Sequence, residues 1–285
     1  MSLPPFDVRP GAGSPVPLIV ALACLVQTAI AQEAPRLPTE PAANEAEPLP
    51  RYIELLRVVP VDSEEPIAPL ERPLFKYADS ARIIAEGAIW AWGSPGRPSA
   101  MAKCWRNANG TQTCAFSLTS DQRVIAYGPQ AKTWRPEKTQ IEPVELVGAP
   151  APDPKDSIRL RQLKEQARRF TAHEFWNPEN DRYELRLLPQ PVYRYRDEKL
   201  KIDDGAIFLL AYDNNPQIVL LLEIQASVEG KARWQYSLAR VSSADLRVSL
   251  DGKEVWAQGR TPGIIGKPTD FYWHLVSKPE AETKP

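Results

Sequence analysis

The sequence predicts an α+β protein made of two diverged copies of one antiparallel β-meander unit, the second preceded by an amphipathic helix. Three observations carry that expectation: self-similarity at a fixed offset, apolar residues alternating with period two over short runs, and one stretch with helical period.

The self-similarity comes first. Residues 73–105 align with 191–223, an offset of 118, without a gap. Pro73/Pro191, Tyr77/Tyr195, Asp79/Asp197, Gly87/Gly205, Ala88/Ala206 and Pro98/Pro216 are among the identities, and Phe75/Tyr193, Glu86/Asp204 and Trp90/Phe208 are chemically close. After a two-residue insertion, Phe116-Ser117-Leu118 falls against Tyr236-Ser237-Leu238. Duplication is the simplest account, and it predicts two antiparallel sheets of four or five strands each.

The alternation then places strands. Ala100, Ala102 and Cys104 share one face, and Cys114, Phe116 and Leu118 share one face of a partner strand. A three-residue loop, Ala108-Asn109-Gly110, with glycine in the left-handed position, sets residue 107 opposite 111 and Cys104 opposite Cys114. A disulfide follows from that register if the compartment is oxidising. The second copy offers Leu222 and Trp234 at the matching places, so the bridge reads as a staple rather than a redox centre. There Ile218 to Leu222 is apolar on both faces, the mark of a central strand covered above and below. A further hairpin, Leu246 to Leu250 and Glu254 to Trp256, surrounds Asp251-Gly252.

The helix is read from Ser157 to Phe175, capped by Asp156 or Ser157, with Leu160, Leu163, Ala167 and Phe170 as its stripe. It ends ahead of Asn177-Pro178 because the residue before a proline disfavours helix. Its basic residues lie largely off the stripe. Residues 52–59 fit helix or strand equally.

The rest of the chain is punctuation and address. Residues 1–31 read as a signal peptide, apolar from Val16 and closing on Ala29-Ile30-Ala31. A proline-rich tether (32–50) follows; unit 1 covers 51–141, a proline-rich linker 142–156, the helix and unit 2 157–277, and a charged tail 278–285. The 30 prolines are about twice ordinary usage and favour turns, tethers and strand edges. Export to the periplasm, cell surface or exterior is expected, with no membrane span after cleavage; Cys24 is a poor match to a lipidation site. Asn109-Gly110-Thr111 is formally a glycosylation sequon.

Pro191-Val192-Tyr193-Arg194-Tyr195, Asp204-Gly205-Ala206-Ile207-Phe208 and Trp234-Gln235-Tyr236-Ser237 together resemble a family of uncharacterised exported proteins of planctomycete bacteria. The likeness covers most of residues 155–256 and, more weakly, 70–120. It implies export and a bacterial source, and supplies no mechanism.

Chemistry is scarce by motif. A formal charge of -1 leaves no electrostatic footprint for nucleic acid. His173-Glu174 lacks the second histidine of a zincin helix, since position 177 is Asn, and no metal or cofactor is expected. Glu86 and Asp204 are candidates for a carboxylate pair by position, with turn-capping as the plainer role. Trp90, Trp92 and Trp105 are candidate ligand contacts. The reading that follows is a non-catalytic extracytoplasmic binding or structural module, its partner a protein or polysaccharide at the cell surface. The alternatives are a carrier of an apolar or aromatic ligand, requiring a cavity lined by Trp90 and Trp92, and a carboxylate-pair hydrolase of polysaccharide. Acids and histidine converging in a deep cleft would count against the non-catalytic reading.

Overall fold

The computed structural model describes residues 49–277 apart from 94, 178, 227–231 and 264, and only the backbone of 50 and 51. The expected signal peptide, Cys24, nearly all of the tether and the tail lie outside these residues. The first element is helix α1 (Leu49–Glu54), which takes in the last two tether residues. Leu49, Tyr52, Ile53 and Leu56 recur at helical spacing and are buried. The chain then switches to β1 (Arg57–Pro60), so residues 52–59 are helix and strand in turn. The first unit supplies β2 (Phe75–Asp79), β3 (Ile84–Trp92), β4 (Ala100–Asn107) and β5 (Gln112–Leu118), followed by β6 (Val124–Tyr127) and β7 (Thr133–Trp134). The linker contributes β8 (Val144–Glu145).

Helix α2 (Asp156–Ala167) buries Leu163 and Ala167 but is shorter than the sequence predicts. Residues Phe170–Phe175 form strand β9, not a last helical turn. Phe170, Ala172 and Glu174 are its buried alternation, and ladders on both sides outweigh the helical stripe that Phe170 also fits. The cap differs too: Lys155 holds that position, and Asp156 instead pairs with Arg159 and Arg196. Then come β10 (Tyr183–Leu187), β11 (Tyr193–Asp197), β12 (Ile202–Tyr212), β13 (Asn215–Gln225) and β14 (Arg233–Arg240). The chain closes with β15 (Asp245–Leu250), β16 (Lys253–Gln258) and β17 (Tyr272–Ser277).

Among the described residues these strands make three antiparallel sheets rather than two of four or five strands. The first unit forms the order β17-β5-β4-β3-β2; the second lies in a nine-stranded sheet, β16-β15-β9-β10-β12-β13-β14-β8 with β11 on β12; and β1-β6-β7 is a small third sheet. The second exceeds the expected count because β9, β10, β15 and β16 of the same segment, and β8 from the linker, extend the repeated meander. The first takes its fifth strand, β17, from the end of the 157–277 segment.

Within the units, Tyr77 lies opposite Gly87 and Tyr195 opposite Gly205, with bulges at Tyr77/Asp79 and Tyr195/Asp197. A Cβ on either glycine would meet the tyrosine ring at 2.3 or 2.6 Å, so each ring lies directly across its glycine. β3 on β4 and β12 on β13 share one register, Ala88↔Cys104 matching Ala206↔Leu222. The next hairpin departs from the sequence alignment: Leu222 faces Tyr236, not Trp234, because the second connection is longer by four residues rather than two.

The first hairpin follows its turn chemistry. Asn107 N–H donates to the Thr111 carbonyl at 2.9 Å, Gly110 takes φ 80°, and Cys104 and Cys114 are bonded across a pair with Cα atoms 4.0 Å apart. Replacing both cysteines by alanine is expected to lower unfolding free energy by about 2–3 kcal/mol; urea titration under oxidising conditions checks it.

The sheets stack through three cores. Trp90, Trp92, Cys104, Cys114 and Phe116 face α1 and the small sheet. Phe208, Leu220, Leu222 and Tyr236 face α2. Between the sheets, Ile89, Ala91 and Met101 meet Ile207, Leu209, Val219 and Leu221. Two polar contacts cross this seam reciprocally: Asn215 Nδ2 donates to Asp79 Oδ2 at 2.7 Å, and Arg97 N–H donates to Asp197 Oδ2 at 3.0 Å. No helix among the described residues is long and apolar enough to cross a membrane.

Candidate ligand-binding site

On the first sheet, every second residue turns away from the Trp92 core toward the seam. On β4 these are Met101, Lys103 and Trp105, on β5 Thr113, and on β17 Tyr272, His274 and Val276. Met101 is packed in the seam core, but beyond it the residues become polar and a cavity of about 380 Å³ opens. That volume falls within the roughly 300–1,000 Å³ of small-molecule sites. Lys103, Trp105 and His274 line it from one sheet, Asn215 and Gln217 from the start of β13, Arg82 from a short 3-10 helix (Ser80–Arg82) between β2 and β3, and Trp176 and Arg260 from loops.

Lys103 is the unusual group. It is 5% exposed, its Nζ donates to the Pro216 carbonyl at 2.7 Å, and among the described residues no carboxylate lies within ion-pair distance. Burial, then the charge of Arg82, pushes it down to about 7 against the pull of Glu174 and Asp79. Those acids face Arg82, and Glu174 Oε2 has no hydrogen-bond partner among the described residues. Arg82 Nη2 donates to Glu174 Oε1 at 2.5 Å, its Nε is 3.7 Å from Asp79 Oδ2, and its guanidinium lies 4.6 Å over the Trp176 ring. Burial raises Glu174 even beside Arg82. Neither acid lines the cavity.

The β17 wall is neutral. Tyr272 Oη and His274 Nε2 share a hydrogen bond at 2.6 Å, and Trp105 meets the imidazole edge-on at 5.5 Å. Burial, with Lys103 and Arg240 nearby, pushes His274 down to about 3, and burial raises Tyr272. Arg240, behind Tyr272, is buried and bound by three main-chain carbonyls, of Ser242, Gly259 and Ala244. Among the described residues Arg260 likewise donates only to carbonyls, of Phe175 and Asn177. The surroundings are therefore positive.

At the offset of 118 from Lys103, Trp105, Tyr77 and Asn215 stand Leu221, Glu223, Tyr195 and Arg97. Here the space is filled by the chain itself. Arg97 Nε and Nη2 donate to Glu223 at 2.7 and 2.5 Å, and Tyr195 Oη donates to the same carboxylate at 2.5 Å. Burial alone would lower Arg97, but the Glu223 carboxylate overrides it and raises it.

Of the residues singled out from sequence, Trp105 lines the cavity, while Trp90 and Trp92 lie in the core on the opposite face. Cys104 and Cys114 are bonded on that core face, directly behind Lys103 and Trp105. Glu86 pairs with Arg106 at the surface; Asp204 is buried between Arg159 and Arg194, whose hydrogen bonds lower it against the effect of burial. His173 sits on β9 outside the cavity. Among the described residues no group of His, Cys, Asp and Glu could hold a metal ion.

No family model, curated protein or solved structure matches the chain.

Lys103, Arg82, Asn215, Gln217, Trp176, Arg260 and His274 were missed by sequence reasoning. One signal could have found Lys103: its aligned partner Leu221 sits in a strand apolar on both faces, so a lysine at that register is buried.

Proposed function

We propose that this chain is an exported, non-catalytic binding module whose two β units arose by duplication and whose first unit holds a small ligand beside the seam. One observation carries the binding reading: a buried lysine without a carboxylate partner faces a cavity of ligand size. A buried charge is costly unless paired, and a ligand is the natural source of the missing countercharge. Duplication is supported by the shared registers and bulges, the two tyrosine–glycine crossings, and the reciprocal Asp79–Asn215 and Asp197–Arg97 contacts of a pseudo-two-fold pair. The non-catalytic reading is supported by the cavity wall, which among the described residues carries a neutral imidazole and no acid, Asp79 and Glu174 lying outside it beside Arg82.

The test is Lys103→Met. Below pH 7 Lys103 is charged both folded and unfolded; between about 7 and its ordinary 10.5 only the unfolded chain holds the proton. Stability therefore rises with pH across that window, at up to roughly 1.4 kcal/mol per pH unit. The variant is expected to resist denaturant better than the native protein at pH 6–7 and to lose that rise. In a thermal-shift panel of sugars, sugar acids, amino acids and aromatic acids, at least one anion should stabilise the native protein, and the variant should lose that preference for anions. A variant less stable than native, or a panel that shifts neither protein, overturns the proposal.

A further inference from the structure

The polar groups around the cavity specify more than a countercharge. Asn215 Oδ1 and Gln217 Oε1 are acceptors, 1% and 0% exposed as residues, with no donor among the described residues. Both residues line the cavity, and each uses its amide nitrogen elsewhere: Asn215 on Asp79 Oδ2, Gln217 on the Asn215 carbonyl. Trp176 Nε1 is a buried donor in the same position. A ligand satisfying these groups carries hydrogen-bond donors as well as an anion. An ammonium would donate too, but Lys103 and Arg260, neither in an ion pair among the described residues, repel it. Hydroxyls donate without charge, and Ser242 and Ser243 add hydroxyl partners. Trp105, Ile265 and Val276 supply an apolar wall suited to the C–H face of a ring.

The second unit gives an internal control for the sign of the ligand. There an acid, Glu223, receives a cation, Arg97, with an apolar Leu221 beside them. In the first unit the acid's place is taken by Trp105 and the apolar place by Lys103. The charge preference is inverted.

Resting on the binding reading above, we propose that the pocket takes a sugar acid or similar hydroxylated carboxylate, its carboxylate on Lys103 and its hydroxyls on the Asn215 and Gln217 amides. Such a group could be a free acid or the end of an acidic polysaccharide.

Isothermal titration of the purified protein tests it with D-galacturonate and D-glucuronate against D-galactose, D-glucosamine and benzoate. The uronates should bind at least about tenfold more tightly than galactose, the worth of one charge-assisted hydrogen bond. Glucosamine and benzoate should trail, the first lacking the anion and the second the hydroxyls. Lys103→Met should erase the advantage of the uronates over galactose, and Trp105→Ala should weaken every ring compound. Galactose or benzoate binding as tightly as the uronates overturns this ligand class while leaving the pocket a binding site; silence from the whole panel overturns both. Trigalacturonate binding more tightly than the monomer assigns the polysaccharide end as the source, and equal or weaker binding assigns the free acid.

Discussion

Glu223→Ala is expected to lower the free energy of unfolding by about 3–5 kcal/mol, the usual cost of breaking a buried pair from one side. Glu223 is 0% exposed and accepts from Arg97, Tyr195 and Gln235. Its removal strands a buried guanidinium, for which Glu223 is the one ion-pair partner among the described residues. The penalty is therefore the stranded charge more than the lost bonds. Arg97→Met with Glu223→Leu removes both charges at similar volume and should recover most of the loss. Urea unfolding of the two single variants and the double variant measures it. A loss below about 1 kcal/mol in Glu223→Ala would mean that water reaches the pair in the folded protein.

Trp92→Ala should be comparably damaging, by about 3–5 kcal/mol, for a different reason. Trp92 is fully buried, 5.8 Å from Phe116, which stacks on Trp134 beside β6 at 5.3 Å. The three rings tie the first sheet to the small sheet, and a cavity among close-packed neighbours collapses only in part. Trp92 does not touch the pocket, so the folded fraction of the variant should bind ligand with native affinity. Trp105→Ala should do the reverse, costing little stability and most of the affinity. Denaturant titration paired with calorimetry separates the two tryptophans, which look alike in the sequence.

What could be read in advance was what the chain decides locally. The Cys104–Cys114 pair follows from a three-residue loop and the faces of two neighbouring runs, all within a dozen residues. Residues 170–175 defeated the same reasoning because their apolar positions fit both periods, and only β10 and β15, distant in sequence, decide for strand. The insertion in the second unit was placed two residues short because similar Phe-Ser-Leu and Tyr-Ser-Leu triplets outweighed an unseen ladder. The pocket is the extreme case. Its wall is drawn from Arg82, Lys103, Trp176, Asn215, Arg260 and His274, residues from well-separated parts of the chain that obey no spacing rule. Each looks like an ordinary surface group until the seam brings them together.

The placement of β17 has a kinetic consequence. It stands at the end of the 157–277 segment yet pairs with β5, closing the first sheet across nearly all of the second unit. Until it arrives, the first unit presents β5 as a bare edge, with Gln112 to Leu118 ready to pair with any neighbouring strand. Loop closure over so long a separation is slow, so the earliest part of the fold to be synthesised is among the last to be sealed. Tyr272, His274 and Val276 travel on that strand. The cavity is thus a property of the finished chain: a first unit folded early already carries Lys103 and Trp105, and becomes a vessel only when β17 delivers its last wall.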